Sequence, residues 1–413
     1  MRAGKAVALL TGTTFLGQGL LVAISPILSR LYGPSDFAVL GVFGTLLTTL
    51  VVVASLSYER AINVPKDEGD AAALLHLCLW IVLGMSLASA VLVGLAGPWI
   101  SSLAGAPHAA PYLWVLPLSL LGAGAYQALN YWTVRRRGFG AVAQTKVHQS
   151  LGQAGVQLGA GALSVGPAGL VVGDAVGRIA GATRLWRFAR RDALERVSRA
   201  KLREVAHQYR RFPLYASGAA LLHTAASVLP VILFGNQYGE ATMAQYTFMQ
   251  RLITAPITVV GVSVAQVFLS RAGQLLHDSP KDLPGLVRKT LVRLSAVGAA
   301  VIGIAALGGG PLFGAIFGAT WTEAGVFVQL TALGLFFQFV VGPILSLLHL
   351  LEKQRWLLLA DAVGFAMVVG SIVGSRQAGL DARGAMIWFS VATAAMYGLL
   401  GLLCWAAVRE KAR

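Results

Sequence analysis

Apolar runs of twenty or more residues recur along this chain about twelve times, and each is long enough to cross a bilayer as a helix, which takes about 20 residues. They fall at roughly 6–31, 37–57, 71–97, 111–134, 142–163, 167–189, 213–236, 241–269, 287–309, 323–351, 355–375 and 384–408. Several exceed the minimum, so tilt or overhang past the bilayer is expected. The fifth is interrupted by Gln and Gly, and Gly308 to Gly310 followed by Pro311 blur the end of the ninth. The links between runs are short, and 413 residues leave no room for a soluble domain. Charged residues make up 12% of the chain, against about 25% in soluble proteins. The reading is an all-α integral membrane protein.

The net charge of +16 would suit nucleic acid if it were gathered in one place. It is not. With the N-terminus on the inner side, Arg30, Arg376 and Arg383 fall outside and Arg178 and Arg251 fall within spans. The rest of the 33 Lys and Arg fall in cytoplasmic segments. That is the positive-inside pattern, and it excludes nucleic acid as a partner. An even number of spans puts both termini in the cytoplasm. Tryptophans gather near span ends, as aromatic belts do, with Trp80 alone at mid-span. Met1 to Lys5 before an apolar run resembles the start of a signal peptide. The run continues past twenty residues with no clear cleavage site, so it reads as the first membrane helix.

A polar, mostly basic stretch over 190–212 divides six spans from six. Leu194, Val197, Leu202, Val205, Tyr209 and Phe212 recur near helical spacing. The stretch is read as an amphipathic helix on the anionic inner leaflet or as a solvated linker. The two halves, 1–189 and 213–413, carry a faint echo: Tyr32-Gly33 followed by Ala38, and Tyr238-Gly239 followed by Ala244, half the chain apart. The expectation is two pseudo-symmetric six-helix lobes around a central cavity.

Charges inside spans are the candidates for function. A guanidinium at membrane depth costs about 2.5–3.5 kcal/mol on insertion scales and cannot shed its proton. Arg251 lies in Gln250-Arg251-Leu252, about ten residues or 15 Å from the nearer end of its span, with Pro256 a turn later to loosen the helix. It either faces an anionic substrate or pairs with an acid on another span, for which Asp361 is the candidate. Asp361 is also a candidate for coupling to H+ or Na+. Arg30 ends the first span as a rim cation or a side chain reaching for the interface. Thr11, Thr13, Thr14, Gln18 and Ser25 on the same helix suit a cavity wall. Asp174 and Arg178, four apart on the sixth span, share one helix face; they pair, line the cavity or relay protons. Glu59 and Arg60 at the end of the second span form a gate or begin a loop. Gly169, Gly173, Gly177 and Gly181 make a face without side chains that another helix can approach, with Gly152, Gly155 and Gly159 of the fifth span as its counterpart. Pro26, Pro117, Pro230 and Pro343 within spans mark points of flexing.

No catalytic or metal motif is present. Cys78 and Cys404 sit inside spans as small apolar residues. Enzymes fit poorly, and no cofactor is implied.

Leu28-Ser29-Arg30-Leu31-Tyr32-Gly33-Pro34-Ser35-Asp36-Phe37, then a span and Tyr58-Glu59-Arg60-Ala61-Ile62-Asn63-Val64-Pro65, resembles the N-terminal half of bacterial polysaccharide transporters. Tyr209-Arg210-Arg211-Phe212-Pro213, and Gln250-Arg251-Leu252 through Pro256 to Ser263-Val264-Ala265-Gln266-Val267-Phe268, resemble the second half. The resemblance covers most of the chain and is carried by the order of the motifs. It implies a member of the multidrug/oligosaccharidyl-lipid/polysaccharide exporter superfamily in the inner membrane. Such a protein flips a polyprenyl-diphosphate-linked oligosaccharide outward for O-antigen, capsule or exopolysaccharide. Its partners would be the lipid-linked glycan, the bilayer and the polysaccharide polymerase machinery. The lipid II flippases, which usually carry more spans, are less similar. Arg251, Arg30, Gln18 and Gln250 would line the substrate's path; Glu59, Arg60, Asp174, Arg178 and Asp361 are gate or coupling candidates. The alternatives are a multidrug exporter of the same fold, which would carry buried acids rather than buried Arg, and a glycan polymerase or ligase, which would need a large external loop.

Overall fold

The computed structural model describes residues 3–190, 197–351 and 353–412. Among them there is no strand. The helices are α1 (Ala3–Ala23), α2 (Ser25–Leu31), α3 (Pro34–Val53), α4 (Tyr58–Ala61), α5 (Glu68–Leu103), α6 (Leu116–Arg135), α7 (Phe139–Ala162), α8 (Pro167–Ala189), α9 (Arg199–Gln208), α10 (Ser217–Tyr238), α11 (Glu240–Asp278), α12 (Leu283–Phe317), α13 (Thr322–Val341), α14 (Ser346–Leu350), α15 (Gln354–Gln377) and α16 (Ala382–Ala412). Eight stretches of the described residues are long and apolar enough to cross a membrane. Four further helices, α7, α8, α10 and α11, have the length as well. Counting α1 and α2 as one broken span, twelve helices among the described residues have membrane length. The chain is an all-helical, multi-pass membrane protein. Several helices exceed the 20-residue minimum widely: α5 has 36 residues, α11 has 39 and α12 has 35.

Prolines act locally as their chemistry requires. The first span breaks at Ile24, and Pro26 opens α2, where its missing N–H costs nothing. Pro117 opens α6 in the same way. Pro343 sits in a 3-10 turn, Gly342–Ile344, between α13 and α14. Pro230 lies inside α10, and α11 continues as helix through position 256. The side chain of Pro256 lies outside the described residues.

The chain divides by compactness into Met1–Asn236 and Gln237–Arg413. The division falls near the end of α10, whose first residues follow the expected lobe boundary at 213.

In the first unit, Tyr58, Leu74, Cys78, Leu129, Trp132, Leu185 and Val205 form a buried core. Val205 belongs to α9, within the stretch expected to form an amphipathic helix on the leaflet. Residues 191–196 of that stretch lie outside the described ones. The helix forms over 199–208, and its apolar side faces protein rather than lipid. Val205 is fully buried, the Tyr58 hydroxyl donates to the Ala206 carbonyl at 2.9 Å, and Lys201 Nζ reaches Asp70 Oδ1 at 2.6 Å. The Asp70 carboxylate, hydrogen-bonded to Lys201, raises the lysine's pKa above its ordinary value.

In the second unit, Phe248 stacks on Trp321 with centroids 4.1 Å apart and takes edge contacts from Phe313 and Phe317. The three consecutive glycines do not end their helix: α12 runs through them to Phe317. Gly309 and Gly310 are buried, and a Cβ on either Gly309 or Gly325 would overlap the other's carbonyl oxygen. The glycines therefore mark where α12 and α13 touch backbone to backbone.

Candidate functional site

The glycine face of α8 turns toward α7, and of the three expected α7 glycines Gly152 meets it, against Gly177 and Ala180. Gly155 and Gly159 face open space. The closest partners of Gly173, Gly177 and Gly181 are glutamines. A Cβ on Gly177 would lie 2.9 Å from the Gln149 carbonyl oxygen and 3.1 Å from Gln153 Cβ. Gly181 lies against the Gln149 amide, Gly173 against Gln157, and Gly169 against the Tyr32 hydroxyl. Gln157 is fully buried and donates from Nε2 to the Leu170 carbonyl at 3.0 Å. Tyr32 donates to the Gln157 carbonyl at 2.7 Å. The absent side chains of α8 thus leave room for long polar side chains of α7 inside the bundle.

Of these, Gln149 and Gln153 open onto a cavity of about 460 Å³ within the first unit. From α1 come Thr14 and Gln18, and from α6 Tyr126, Gln127 and Asn130. Helix α7 supplies Lys146, Gln149 and Gln153, and α8 supplies Asp174 and Arg178. Arg178 grips Asp174 with two hydrogen bonds, Nε to Oδ2 at 2.6 Å and a terminal nitrogen to Oδ1 at 3.3 Å. The pair cancels its own charge. Lys146 makes no ion pair among the described residues; its ammonium lies 5.2 Å from the centre of the Tyr126 ring, a favourable cation–π contact. The lining thus carries one uncompensated positive charge. A second cavity of about 310 Å³, among α3, α5, α6 and α10, is lined by Leu, Val and Ile with a few hydroxyls and offers nothing to orient a charged group.

Glu59 sits behind the polar cavity. It is 1% exposed. Ser55 Oγ donates to its Oε2 at 2.5 Å and Gln127 Nε2 donates to its Oε1 at 2.9 Å. Arg60 is exposed and comes no nearer than 3.9 Å, so Ser55 and Gln127 hold the carboxylate. The backbone just before it is strained. Leu56 and Ser57 both take left-handed conformations, with φ of 51° and 59°, which side-chain-bearing residues rarely adopt. Ser217, opening α10, donates to Ser57 Oγ at 3.1 Å. Helix α10 and the α3–α4 turn are thereby tied together beside Glu59.

The sequence-derived candidates distribute as follows. Gln18, Asp174 and Arg178 line the cavity, and Glu59 reaches it through Gln127. Arg60 is exposed, and so is Arg30, at the end of α2. Arg251 and Gln250 are half-buried on α11 in the second unit, where Gln250 donates to the Tyr246 hydroxyl at 2.5 Å. Asp361 is half-buried on α15. Sequence reasoning misses Lys146, Asn130, Gln149 and Gln153, and the loop-charge pattern places Lys146 with the cytoplasmic cations. The structure places Lys146 in the third turn of α7, on the cavity wall. A signal was present: Lys146, Gln149, Gln153 and Gln157 recur at spacings of three and four, the mark of one helix face.

A membrane bundle that hollows out one unit and lines it with amides and a cation matches known proteins along most of its length. The family described as "Polysaccharide biosynthesis protein" matches residues 27–326. The chain belongs to that family. The succinoglycan biosynthesis transport protein ExoT of Rhizobium meliloti (strain 1021) is 26% identical over 395 residues, covering 91% of this chain and 74% of the relative. Among solved structures, an inward-facing multidrug resistance transporter of the MATE family in the MOP superfamily aligns over 97% of this chain and 95% of its own, with a TM-score of 0.67 and 16% identity. The lipid II flippase MurJ in an inward closed conformation aligns over 96% and 87%, with a TM-score of 0.64 and 14% identity. Both share the two-lobed transporter fold with this member of the polysaccharide biosynthesis family. The proteins that these comparisons name are transporters and a flippase.

Proposed function

We propose that this protein flips a polyprenyl-diphosphate-linked oligosaccharide from the cytoplasmic to the outer leaflet of the bacterial inner membrane. The observation that carries the reading is a charged, amide-lined cavity inside the membrane bundle of a polysaccharide biosynthesis family member. A glycan cannot cross hydrocarbon unaided, since each unpaired hydroxyl costs several kcal/mol there (roughly 4–8 on a cyclohexane scale). The cavity replaces its lost water with hydrogen-bonding side chains, while the lipid tail stays in the bilayer. ExoT, named as a transport protein of succinoglycan biosynthesis, supports the substrate class.

The diphosphate is an anion, and Arg251 and Arg30 are the cations assigned to its path as charge-assisted donors, with Gln250 beside Arg251. Two six-span lobes, joined through 190–212, alternate access by rocking. Glu59, Asp174 and Asp361 are the candidates for coupling to H+ or Na+. Both termini are cytoplasmic, and the polymerase that extends the repeat unit receives the flipped product.

The test uses a strain with the gene deleted and restored. Lipid-linked precursors are extracted and assigned to a leaflet by their accessibility to a non-permeant oxidant, and surface polysaccharide is measured in parallel. Precursors trapped facing the cytoplasm, surface glycan lost, and no rescue by Arg251→Ala are expected. Unchanged glycan with increased sensitivity to cationic drugs overturns the reading in favour of a multidrug exporter.

A further inference from the structure

We infer that the cavity of the first unit is a reading site for an acidic sugar of the transported glycan, with Lys146 as the residue that selects its carboxylate. The inference deepens the flippase reading and rests on it for the physiological ligand.

Several polar atoms of this wall have no hydrogen-bond partner among the described residues. Buried polar atoms are nearly always hydrogen-bonded, and exceptions call for a specific account. Asn130 Oδ1 is buried without a hydrogen-bond partner. Gln149 and Gln153 make no side-chain hydrogen bond among the described residues, and Gln127 uses one N–H on Glu59 and leaves its Oε1 uncommitted. These groups converge on one space with Lys146. A carboxamide offers two donors and an acceptor that takes two bonds. A sugar hydroxyl offers one donor and two acceptor sites. A wall of amides therefore matches a polyol, whichever way each hydroxyl turns. The volume of about 460 Å³ falls within the roughly 300–1,000 Å³ of small-molecule sites.

The charge decides what kind of sugar. Asp174 and Arg178 neutralise one another. Glu59 is shielded by Ser55 and Gln127. What remains is the single ammonium of Lys146. One cation among several amides fits one carboxylate on a hydroxylated ring. A diphosphate carries more charge and is best met by several cations, bidentate Arg among them. The one Arg in this wall is already committed to Asp174. Glu59 acts here as a positioning residue: by holding the Gln127 amide nitrogen it leaves the oxygen of that amide for the ligand.

The test titrates the full chain in lipid nanodiscs with free glucuronate, glucose and inorganic pyrophosphate, read by saturation-transfer NMR. Glucuronate is expected to bind about tenfold or more tightly than glucose, the scale of one charge-assisted hydrogen bond. Lys146→Gln should bring glucuronate down to the glucose level, and Lys146→Arg should keep the preference. Asn130→Leu should weaken both sugars. Absence of sugar binding, or a preference that survives Lys146→Gln in protein of normal thermal stability, overturns the assignment. Pyrophosphate displacing glucuronate in a Lys146-dependent way overturns it in favour of a phosphate reader. Glucuronate binding beside a gene deletion that leaves precursor orientation unchanged would defeat the flippase reading alone; the reverse combination would defeat only this site.

Discussion

The two units solve the same problem, packing helices in a membrane, with different use of glycine. In the first, the glycines of α8 make room for glutamines of α7, and polar side chains come inside. In the second, Gly309 and Gly325 bring two backbones together, and the amide beside them, that of Gln329, is spent on the backbone of α12, accepting from the Gly310 N–H at 3.2 Å and donating to the Ala306 carbonyl at 3.0 Å; Phe248, Phe313, Phe317 and Trp321 pack in the same unit. Small residues at helix contacts are common in membranes. What they do depends on the neighbour: opposite another glycine they bring backbones together, and opposite a long amide they make room for it. The contrast leaves amides available for a ligand in the first unit and commits the amide to backbone where α12 meets α13.

The strongest way to break the comparison is to put a side chain where the second unit has none. Gly325→Leu would drive into the Gly309 carbonyl and should cost about 3 kcal/mol, at the upper end for overpacking. Thermal unfolding of the full chain in detergent measures it. Gly303→Leu, whose added Cβ meets open space, is the control and should fall within about 0.5 kcal/mol. Equal effects at the two positions would remove the case for backbone contact.

Next in size is Glu59. Gln127→Leu deprives a buried carboxylate of a donor and should cost about 1.5–3 kcal/mol, as hydrogen bonds to charged groups do. An unchanged unfolding midpoint would mean that Gln127 does not hold it. A smaller effect is expected at the ion pair. Arg178→Gln leaves Asp174 uncompensated at about 1–2 kcal/mol, and adding Asp174→Asn should recover most of that loss, since the residues act as a unit. Additive losses would show the two side chains to be independent.

The smallest effect concerns the docking of α9. The Lys201 pKa is raised by the Asp70 carboxylate, so the stabilisation is complete below the ordinary lysine value and is lost as pH rises through the raised one. Hydrogen exchange of α9 amides should therefore be flat, after correction for intrinsic rates, from pH 7 to about 10 and loosen only above that. Loosening near neutrality would contradict the Lys201–Asp70 contact.

Helix count and class were legible because apolar run length is read directly from residues, and the charge asymmetry of the loops agreed. The Asp174–Arg178 pair was legible too, since i,i+4 spacing fixes the shared face. Lys146 was not, because its closeness to a span end made it look like one more loop cation; depth along a helix does not say which way a side chain faces. The α3–α4 turn left no trace in the sequence. Leu56 and Ser57 are neither Gly nor Asn, the residues that usually announce a left-handed backbone. Nor did the triple glycine declare itself as a contact, because glycine can end a helix or let another one in, and only the neighbour decides.

The glycine ladder of α8 has a consequence for how such a transporter changes what it carries. The reach of Gln149 and Gln153 into the cavity is set by atoms that α8 lacks. Adding a methyl at Gly177 or Gly181 would push those amides inward and reshape the chamber with every hydrogen-bonding residue left in place. Selectivity in this bundle can drift by carving the wall behind the lining, so two relatives with identical cavity residues need not accept the same cargo.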